Sequence, residues 1–556
     1  MAKASGRPPI DPATGGPFAL SGRVVTMNAA RGVLDDSVVW VDKGAIVAVL
    51  PAGQTPPGYE TVPVTPSGGT VYPGLIELHN HLPYDILQLW AVPKPYQNRD
   101  QWSGPSTPDY HRLITGPMAA IGKHPDLVAA VVRYVETRCL LGGTTTSQGV
   151  TLSSSSGLIK HFRGLIRNVE KTDDPDLPAA TTHIADVEAK QFDKFLARVS
   201  KDKKLILHLA EGTNTAAHEH FQALQSPTTG KWAITKSLIG IHCVPLNDAD
   251  FAVMAAHHGS MVWSPLSNLL LYGCTANVGA ALAHGVPVAL GSDWSPSGSK
   301  NLLCELKAAR GAAAVAGAGT VSDADLVAMV TTTPAAMLGW DRHLGSLEAG
   351  KKADLLVVAG AAKAPYTTLV GATEADVTLV VINGVPRAGT PALMAALGIA
   401  AGALETLQVG GQDRALNLAQ VTADPDVEII TVAEAIDRLR KALHDLPTAV
   451  TPKRPARRAA KGGPARMLAV GGLVNNRRSP RPHLPFHGHL TGPDLPPART
   501  LTAERKNIAA AGPLPALTLS PLTAIDDPAF YASLQLELNL TDDFKAGLAV
   551  YGPPAA

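Results

Sequence analysis

The stretch VYPGLIELHNHLPYD, Val71 to Asp85, decides how the rest of the chain reads. Its apolar run from Val71 to Leu78, interrupted by Pro73, Gly74 and Glu77, has the length and composition of a buried strand, and it ends in His79-Asn80-His81. Side chains alternate along a strand, so His79 and His81 point the same way. Two imidazoles on one side of a strand end can grip one metal ion if distant parts of the chain bring further ligands. Alone, such a pair is more often a surface or core feature than a ligand pair.

Outward from this stretch, the chain repeats a strand and helix rhythm as far as about Trp340. A long loop, Leu82 to His124, follows His81 and carries Tyr84, Trp90, Tyr96, Trp102, Tyr110 and His111; loops of this length in compact domains are often lids or pocket walls. Asp126 to Leu141 is apolar at Leu127, Val131, Tyr134 and Val135 and stops at Gly142-Gly143, as an amphipathic helix does. Strands are then expected at Thr144 to Gln148, Phe162 to Asn168, Ala179 to Val187, Leu205 to Ala210, Leu238 to Val244, Met261 to Pro265 and Val286 to Ser292. With the first strand, this makes eight. Strands alternating with helices over about 250 residues predict an α/β fold, a parallel (β/α)8 TIM-like barrel.

A barrel carries its chemistry where its strands end. The first strand ends in His79 and His81; the fifth, KLILHLAEG, carries His208 and Glu211; the sixth, LIGIHCVPL, carries His242; the eighth, VPVALGSDW, ends in Asp293. Either His208 or His242 alone reads equally well as a hydrogen-bonded core histidine. A chance distribution of 18 histidines would rarely place metal-ligand or proton-transfer groups at four strand ends.

Both flanks of this region are β-rich. FALSGRVVTM, SVVWVDKGAIVAVL and YETVPVT precede it, and GSLEAGKKADLLVVAG and ATEADVTLVVINGVPRAG follow it. The expected organisation is a small β-sandwich built from 18–70 and 345–389, with the barrel over 71–344 between them. Beyond lie a helical extension (390–450), a Pro-rich basic linker (451–512) and a C-terminal segment (513–556) that packs on the body. Thr431 to Glu434 forms a capping box ahead of an amphipathic helix. The basic run Thr451 to Arg466 reads as a solvated linker rather than a nucleic-acid tail. His483, His487 and His489 read as loop residues in a Pro-rich stretch.

Composition bounds the function. A net charge of +1 gives no strong pull towards nucleic acid or anionic membrane. Cys139, Cys243, Cys274 and Cys304 stand singly, with no CxxC pair, which fits reduced thiols in a cytoplasmic protein. Met1 to Leu20 has no apolar core and no run approaches 18 apolar residues, so neither secretion nor membrane insertion is expected.

The chain resembles the amidohydrolase superfamily, specifically the mononuclear branch that includes cytosine and guanine deaminases and triazine hydrolases. The residues that carry the resemblance are PGLIELHNH (Pro73 to His81), HLAE (His208 to Glu211), HCVPL (His242 to Leu246), SPLSNLLLYG (Ser264 to Gly273), GSDWSPSG (Gly291 to Gly298) and GSLEAGKKADLLVV (Gly345 to Val358). The resemblance implies that His79, His81, His208 and Asp293 hold one divalent metal ion, Zn or Fe, with a water completing the site. It further implies that Glu211 moves protons to and from the leaving group and that His242 orients or polarises the group attacked. Asp293 could also accept the proton. Ser267 and Asn268 either position neighbouring groups or cap a helix. Dinuclear relatives bridge their metals through a lysine or glutamate on the fourth or a nearby strand. AATTHIADV here has no lysine, although His183 and Asp186 leave room for a second metal. The unrelated zinc deaminases with a PCxxC pair are excluded.

The reading is a metal-dependent hydrolase that attacks a non-peptide carbon–nitrogen bond of a small molecule, most simply by deaminating a heterocycle or amidine. Trp90, Trp102, His111 and Asn268 are candidate substrate contacts, since an aromatic loop suits a flat ring. The alternatives are hydrolysis of a cyclic amide, a carbamate or a carbon–halogen bond at the same site, and a catalytically silent scaffold. A homo-oligomer is expected by analogy alone.

Overall fold

The computed structural model describes residues 16–104, 106–149, 165–172, 174–183, 192–199, 203–315, 321–360, 363–420, 425–449 and 512–553. Asp186, the basic run Thr451 to Arg466 and His483, His487 and His489 lie outside the described residues. Four strands open the chain: β1 (Phe18–Val25), β2 (Val33–Asp42), β3 (Ala45–Pro51) and β4 (Val64–Pro73). The central region contributes β5 (Leu75–Glu77), β6 (Thr144–Ser147), β7 (Arg167–Asn168), β8 (Thr181–His183), β9 (Leu205–Leu209), β10 (Leu238–His242), β11 (Ser260–Trp263) and β12 (Val288–Leu290). After it come β13 (Leu355–Ala359), β14 (Val377–Ile382), β15 (Val385–Gly389), β16 (Glu405–Val409) and β17 (Gln412–Leu416).

The first and last groups share one mixed nine-stranded sheet, in the order β16-β17-β15-β14-β13-β4-β1-β2-β3. Its middle is the antiparallel pair β4 and β13, which brings Val71 opposite Val357 and so joins the two flanks of the central region. Two differences from the sequence reading follow. The segment 390–450 holds the hairpin β16–β17 as well as helices, because Gly410 and Gly411, both at positive φ, make the two-residue turn. And the run Val71 to Leu78 is two strands: Pro73 ends β4, and at Gly74 the chain leaves the nine-stranded sheet to begin β5. Only glycine fits there, since a Cβ would stand 2.3 Å from the Thr145 side chain.

The central strands pair in parallel, β5-β6-β7 in one sheet and β8-β9-β10-β11-β12 in another. Backbone hydrogen bonds also cross both seams between them. His81 N donates to Asp293 O (2.7 Å) and Asp293 N to His79 O (3.0 Å) on one side, and Ala180 N donates to Val169 O (2.9 Å) on the other. Of these strands, β5 and β9 to β12 are largely apolar because both faces are covered, whereas β6, β7 and β8 are polar in sequence. Ile206 of β9 packs with Ile76, Ile239, Ile241, Val262 and Ala289, whereas its neighbours Leu205 and Leu207 pack in the larger core shared with the helices. Strand alternation then sends His208 to the side of Ile206.

The loop Leu82 to His124 holds short helical turns, among them Arg99–Ser103 and His111–Thr115. The expected capping box is present: Thr431 and Glu434 exchange hydrogen bonds at the start of the helix Val432–His444. The C-terminal segment is tied to the body through Lys300, whose Nζ lies 2.5 Å from Asp527 Oδ2 and 2.5 Å from Ser520 Oγ. Among the described residues, no helix is long and apolar enough to cross a membrane.

Candidate metal centre

His79, His81, His208, His242, Glu211 and Asp293 stand at four strand ends, those of β5, β9, β10 and β12, and come together as one buried group. The backbone bends sharply where they do so. His242 (φ 72°), Asp293 (φ 64°) and Ala210 (φ 52°), which precedes Glu211, all stand in the left-handed region that non-glycine residues rarely adopt. Backbone held this way clusters where a side chain must be aimed. Close approach does the rest: a Cβ on Gly291 would lie 2.4 Å from that of His79, so β12 passes directly against the first histidine.

The ligand atoms of His79, His81 and His208 lie within 4.8 Å of one another, as do those of His79, His242 and Asp293, and those of His208, Glu211 and His242. Asp293 Oδ1 is 3.2 Å from His79 Nε2 and 3.3 Å from His81 Nε2. The rings of His81 and His208 stack at 5.4 Å, and His79 stands perpendicular to both. Burial lowers the pKa of His208 and His242 and takes that of His81 to about 3, so these three imidazoles are neutral. Burial opposes ionisation of Asp293, but the imidazoles of His79, His81 and His242 outweigh it and hold the carboxyl below the usual range.

Neutral imidazoles beside an ionised carboxylate are the donor set a divalent cation requires. Among the described residues, both ring nitrogens of His79 and Nδ1 of His208 are buried without a hydrogen bond, which costs free energy in the protein alone and fits ligation. The residues present therefore fit a metal ion.

Other residues hold this group in place. Ser267 Oγ donates to Asp293 Oδ2 (2.6 Å), and Asn268 Oδ1 pairs with His242 Nδ1 (2.9 Å). Asn268 thus meets His242, a neighbouring group of the kind the sequence reading had it position, with substrate contact and helix cap as its other expected roles. Glu77, which the sequence gave no reason to select, accepts hydrogen bonds from Ser292 N (3.0 Å), Ser292 Oγ, Asn80 Nδ2 (3.2 Å) and Ser147 Oγ (3.4 Å). It sits across the seam between the two ligand-bearing strand ends.

The aromatic residues of the long loop divide. Trp102 Nε1 donates to Tyr272 Oη (2.9 Å), which donates to Glu211 Oε1 (2.7 Å). Trp90 stacks on Tyr96 at 6.3 Å, and both His111 ring nitrogens are engaged, with Thr115 Oγ1 and Gly104 O. Trp294, directly after Asp293, is the ring beside His81 (5.5 Å), with Tyr84 and Trp102 behind it. Its place next to a candidate ligand in GSDWSPSG was the available signal. Arg99 Nη1 lies 3.7 Å from Glu211 Oε2, a placement that nothing local in the sequence announces.

Comparison with known proteins agrees with this geometry. The model of the family described as "Amidohydrolase family" matches residues 70–387. A 5-methylthioadenosine/S-adenosylhomocysteine deaminase of Moorella thermoacetica is 26% identical over 360 residues, 59% of this chain and 82% of that protein. The solved structure of an adenosine deaminase from Xanthomonas campestris with bound zinc is 20% identical, with a TM-score of 0.55 over 77% of this chain and 100% of that one. A mutant atrazine chlorohydrolase from Arthrobacter aurescens TC1, complexed with zinc and atraton, is 17% identical, with a TM-score of 0.58 over 76% and 99% of the two chains. At such identities the structural likeness speaks to the fold.

Proposed function

Because the chain belongs to the amidohydrolase family, we propose that it is a metal-dependent hydrolase that deaminates an aminated heterocycle or amidine-like small molecule. The observation that carries this reading is a buried carboxylate beside the ligand group, which serves as the proton carrier. Among the described residues, Glu211 Oε2 has no hydrogen bond; it stands 3.8 Å from His242 Nε2, within the same cluster as His208.

His79, His81, His208 and Asp293 hold one divalent ion, Zn or Fe. When bound, such an ion supplies Lewis acidity, which can bring the pKa of a water from about 15.7 towards about 7. Glu211 takes a proton from the attacking water and delivers it to the departing nitrogen, while His242, aimed by Asn268, polarises the carbon–nitrogen unit under attack. Asp293 accepts the water's other proton, which passes to the ring or amidine nitrogen that remains in the product. The carbon gains oxygen and the amino group leaves as ammonia, with no oxidant or reductant. The deaminase relatives support this bond, and Trp294, beside His81, is a flat wall suited to a ring.

The eight strands β5 to β12 form a closed (β/α)8 barrel in this reading, supported by the hydrogen bonds across both seams. The segments 18–70 and 345–389 form a composite β-domain, completed by β16 and β17. The protein is cytoplasmic, in keeping with its four free cysteines, acts on small molecules, and assembles as a homo-oligomer by analogy.

Ammonia release across a panel of aminated heterocycles tests the proposal. Turnover that falls by about 10²-fold or more in Glu211→Gln supports it. Turnover unchanged in that variant rules out the mechanism, and hydrolysis without ammonia moves the reading to a cyclic amide, carbamate or carbon–halogen bond.

A further inference from the structure

Glu211 is gripped by one oxygen and free at the other. Trp102 comes from the helix Arg99–Ser103 in the long loop, and Tyr272 ends the helix Pro265–Tyr272 after β11. Both side chains are buried, and they meet each other and Glu211 in a single chain of hydrogen bonds: Trp102 Nε1 to Tyr272 Oη at 2.9 Å, Tyr272 Oη to Glu211 Oε1 at 2.7 Å.

The direction of this chain is fixed by chemistry. An indole N–H can only donate, so the tyrosine oxygen accepts from Trp102 and its own proton goes to the carboxylate. Burial, and then the Glu211 carboxylate, push the Tyr272 phenol well above its usual pKa, which makes it a permanent donor. The other carboxylate oxygen, Oε2, has no hydrogen bond among the described residues and faces His242 Nε2 at 3.8 Å and Arg99 Nη1 at 3.7 Å.

The supports on either side are stiff. Gln97 O accepts from Thr213 N (2.7 Å), just beyond Glu211, and a Cβ on Gly212 would lie 2.4 Å from that same carbonyl oxygen. Tyr96 N donates to Leu271 O (2.8 Å), so the loop and the helix ending in Tyr272 are pinned together.

We propose that Trp102 and Tyr272 form a tether that holds Glu211 by Oε1 and leaves Oε2 to carry the proton. Both are positioning residues; neither transfers a proton itself. The inference rests on the reading of Glu211 as the proton carrier and goes beyond it in naming what aims that carboxylate.

The test is a set of single and double variants assayed by steady-state ammonia release, with metal content and melting temperature as controls. Tyr272→Phe is expected to lower kcat about ten- to a hundredfold, the range found for groups that orient a reacting residue, with KM within about twofold of wild type. Trp102→Phe is expected to lower kcat by less, and the double variant to be no worse than Tyr272→Phe alone, because the two act in series. In a Glu211→Gln background, Tyr272→Phe is expected to cost less than about twofold further.

An equal loss in both backgrounds would mean that Tyr272 acts independently of Glu211 and would overturn the tether. So would an undiminished kcat in Tyr272→Phe. Full turnover in Glu211→Gln would instead remove the proton-carrier reading itself, so the two failures are distinguishable. If Tyr272→Phe loses its metal or its fold, Trp102→Phe decides at the far end of the chain: kcat lowered at constant KM supports the tether, and kcat unchanged refutes it.

Discussion

Replacing Glu77 by leucine should weaken metal binding and stability together. Four donors converge on this buried carboxylate, from Ser292, Asn80 and Ser147. Asn80 Nδ2 also reaches Ser292 Oγ (3.2 Å), and Ser147 Oγ also reaches Gln148 O (3.0 Å), so both keep an acceptor, while the Ser292 hydroxyl can rotate. The backbone N–H of Ser292 has no such alternative among the described residues. Leaving that group unpaired costs about 1–3 kcal/mol, and the weakened bonds add about 1 kcal/mol more. These losses sum to about 2–4 kcal/mol, and the leucine escapes the desolvation that raises the pKa of Glu77, so a smaller net loss of about 1–3 kcal/mol is expected. The functional consequence follows from position. Ser292 precedes Asp293 and Asn80 lies between His79 and His81, so loosening Glu77 lets both ligand-bearing turns drift apart. Metal affinity should fall about ten- to a hundredfold. Chelator competition gives the affinity, and denaturant unfolding of the metal-free protein gives the stability. Lost stability with affinity within about twofold of wild type would refute the argument that Glu77 aligns the ligands.

Three further outcomes are expected. Asn268→Ala should lower kcat about tenfold or more at unchanged metal content, because His242 Nδ1 loses its partner; an equal loss of metal would place Asn268 among the supports of the ligands instead. Lys300→Met strands the Asp527 carboxylate in the interior and should cost about 3–5 kcal/mol in unfolding experiments, with part recovered in Lys300→Met/Asp527→Asn; no recovery would count against the pair. Burial lowers the pKa of His81 from 6.5 to about 3, so between these values the unfolded chain binds the extra proton. Stability of the metal-free protein should therefore fall as pH drops from about 6.5 towards 3, and less steeply in His81→Asn; identical slopes would contradict the burial argument.

The strand ends were legible because buried parallel strands are apolar runs, and a histidine or carboxylate that closes such a run stands out. KLILHLAEG and LIGIHCVPL gave up His208, Glu211 and His242 in this way, and the structure brings them to His79 and His81. What was not legible depends on distant partners. Glu77 reads as an interruption in an apolar run until Ser292, 215 residues away, is seen to donate to it. Tyr272 reads as a helix-end aromatic until it meets Glu211, 61 residues away. The crossing at Gly74 was hidden because both strands that it separates are apolar. The hairpin of β16 and β17 was hidden because its alternation lasts only five residues on each side of the glycine turn. Trp90 and His111 were conspicuous by residue type, yet the Trp90 ring meets Tyr96 and Tyr110, and the His111 ring nitrogens meet Thr115 and Gly104, all within the long loop itself.

The account turns on one ion held by His79, His81, His208 and Asp293 and on release of ammonia. Metal content per chain, measured on protein purified without added metal and paired with ammonia release from the heterocycle panel, tests both at once. One equivalent of zinc or iron, with ammonia formed in proportion to turnover, is the predicted result. Two equivalents, or turnover without ammonia, would contradict the mononuclear deaminase, and a protein that neither retains nor takes up a divalent metal would contradict the metal centre itself.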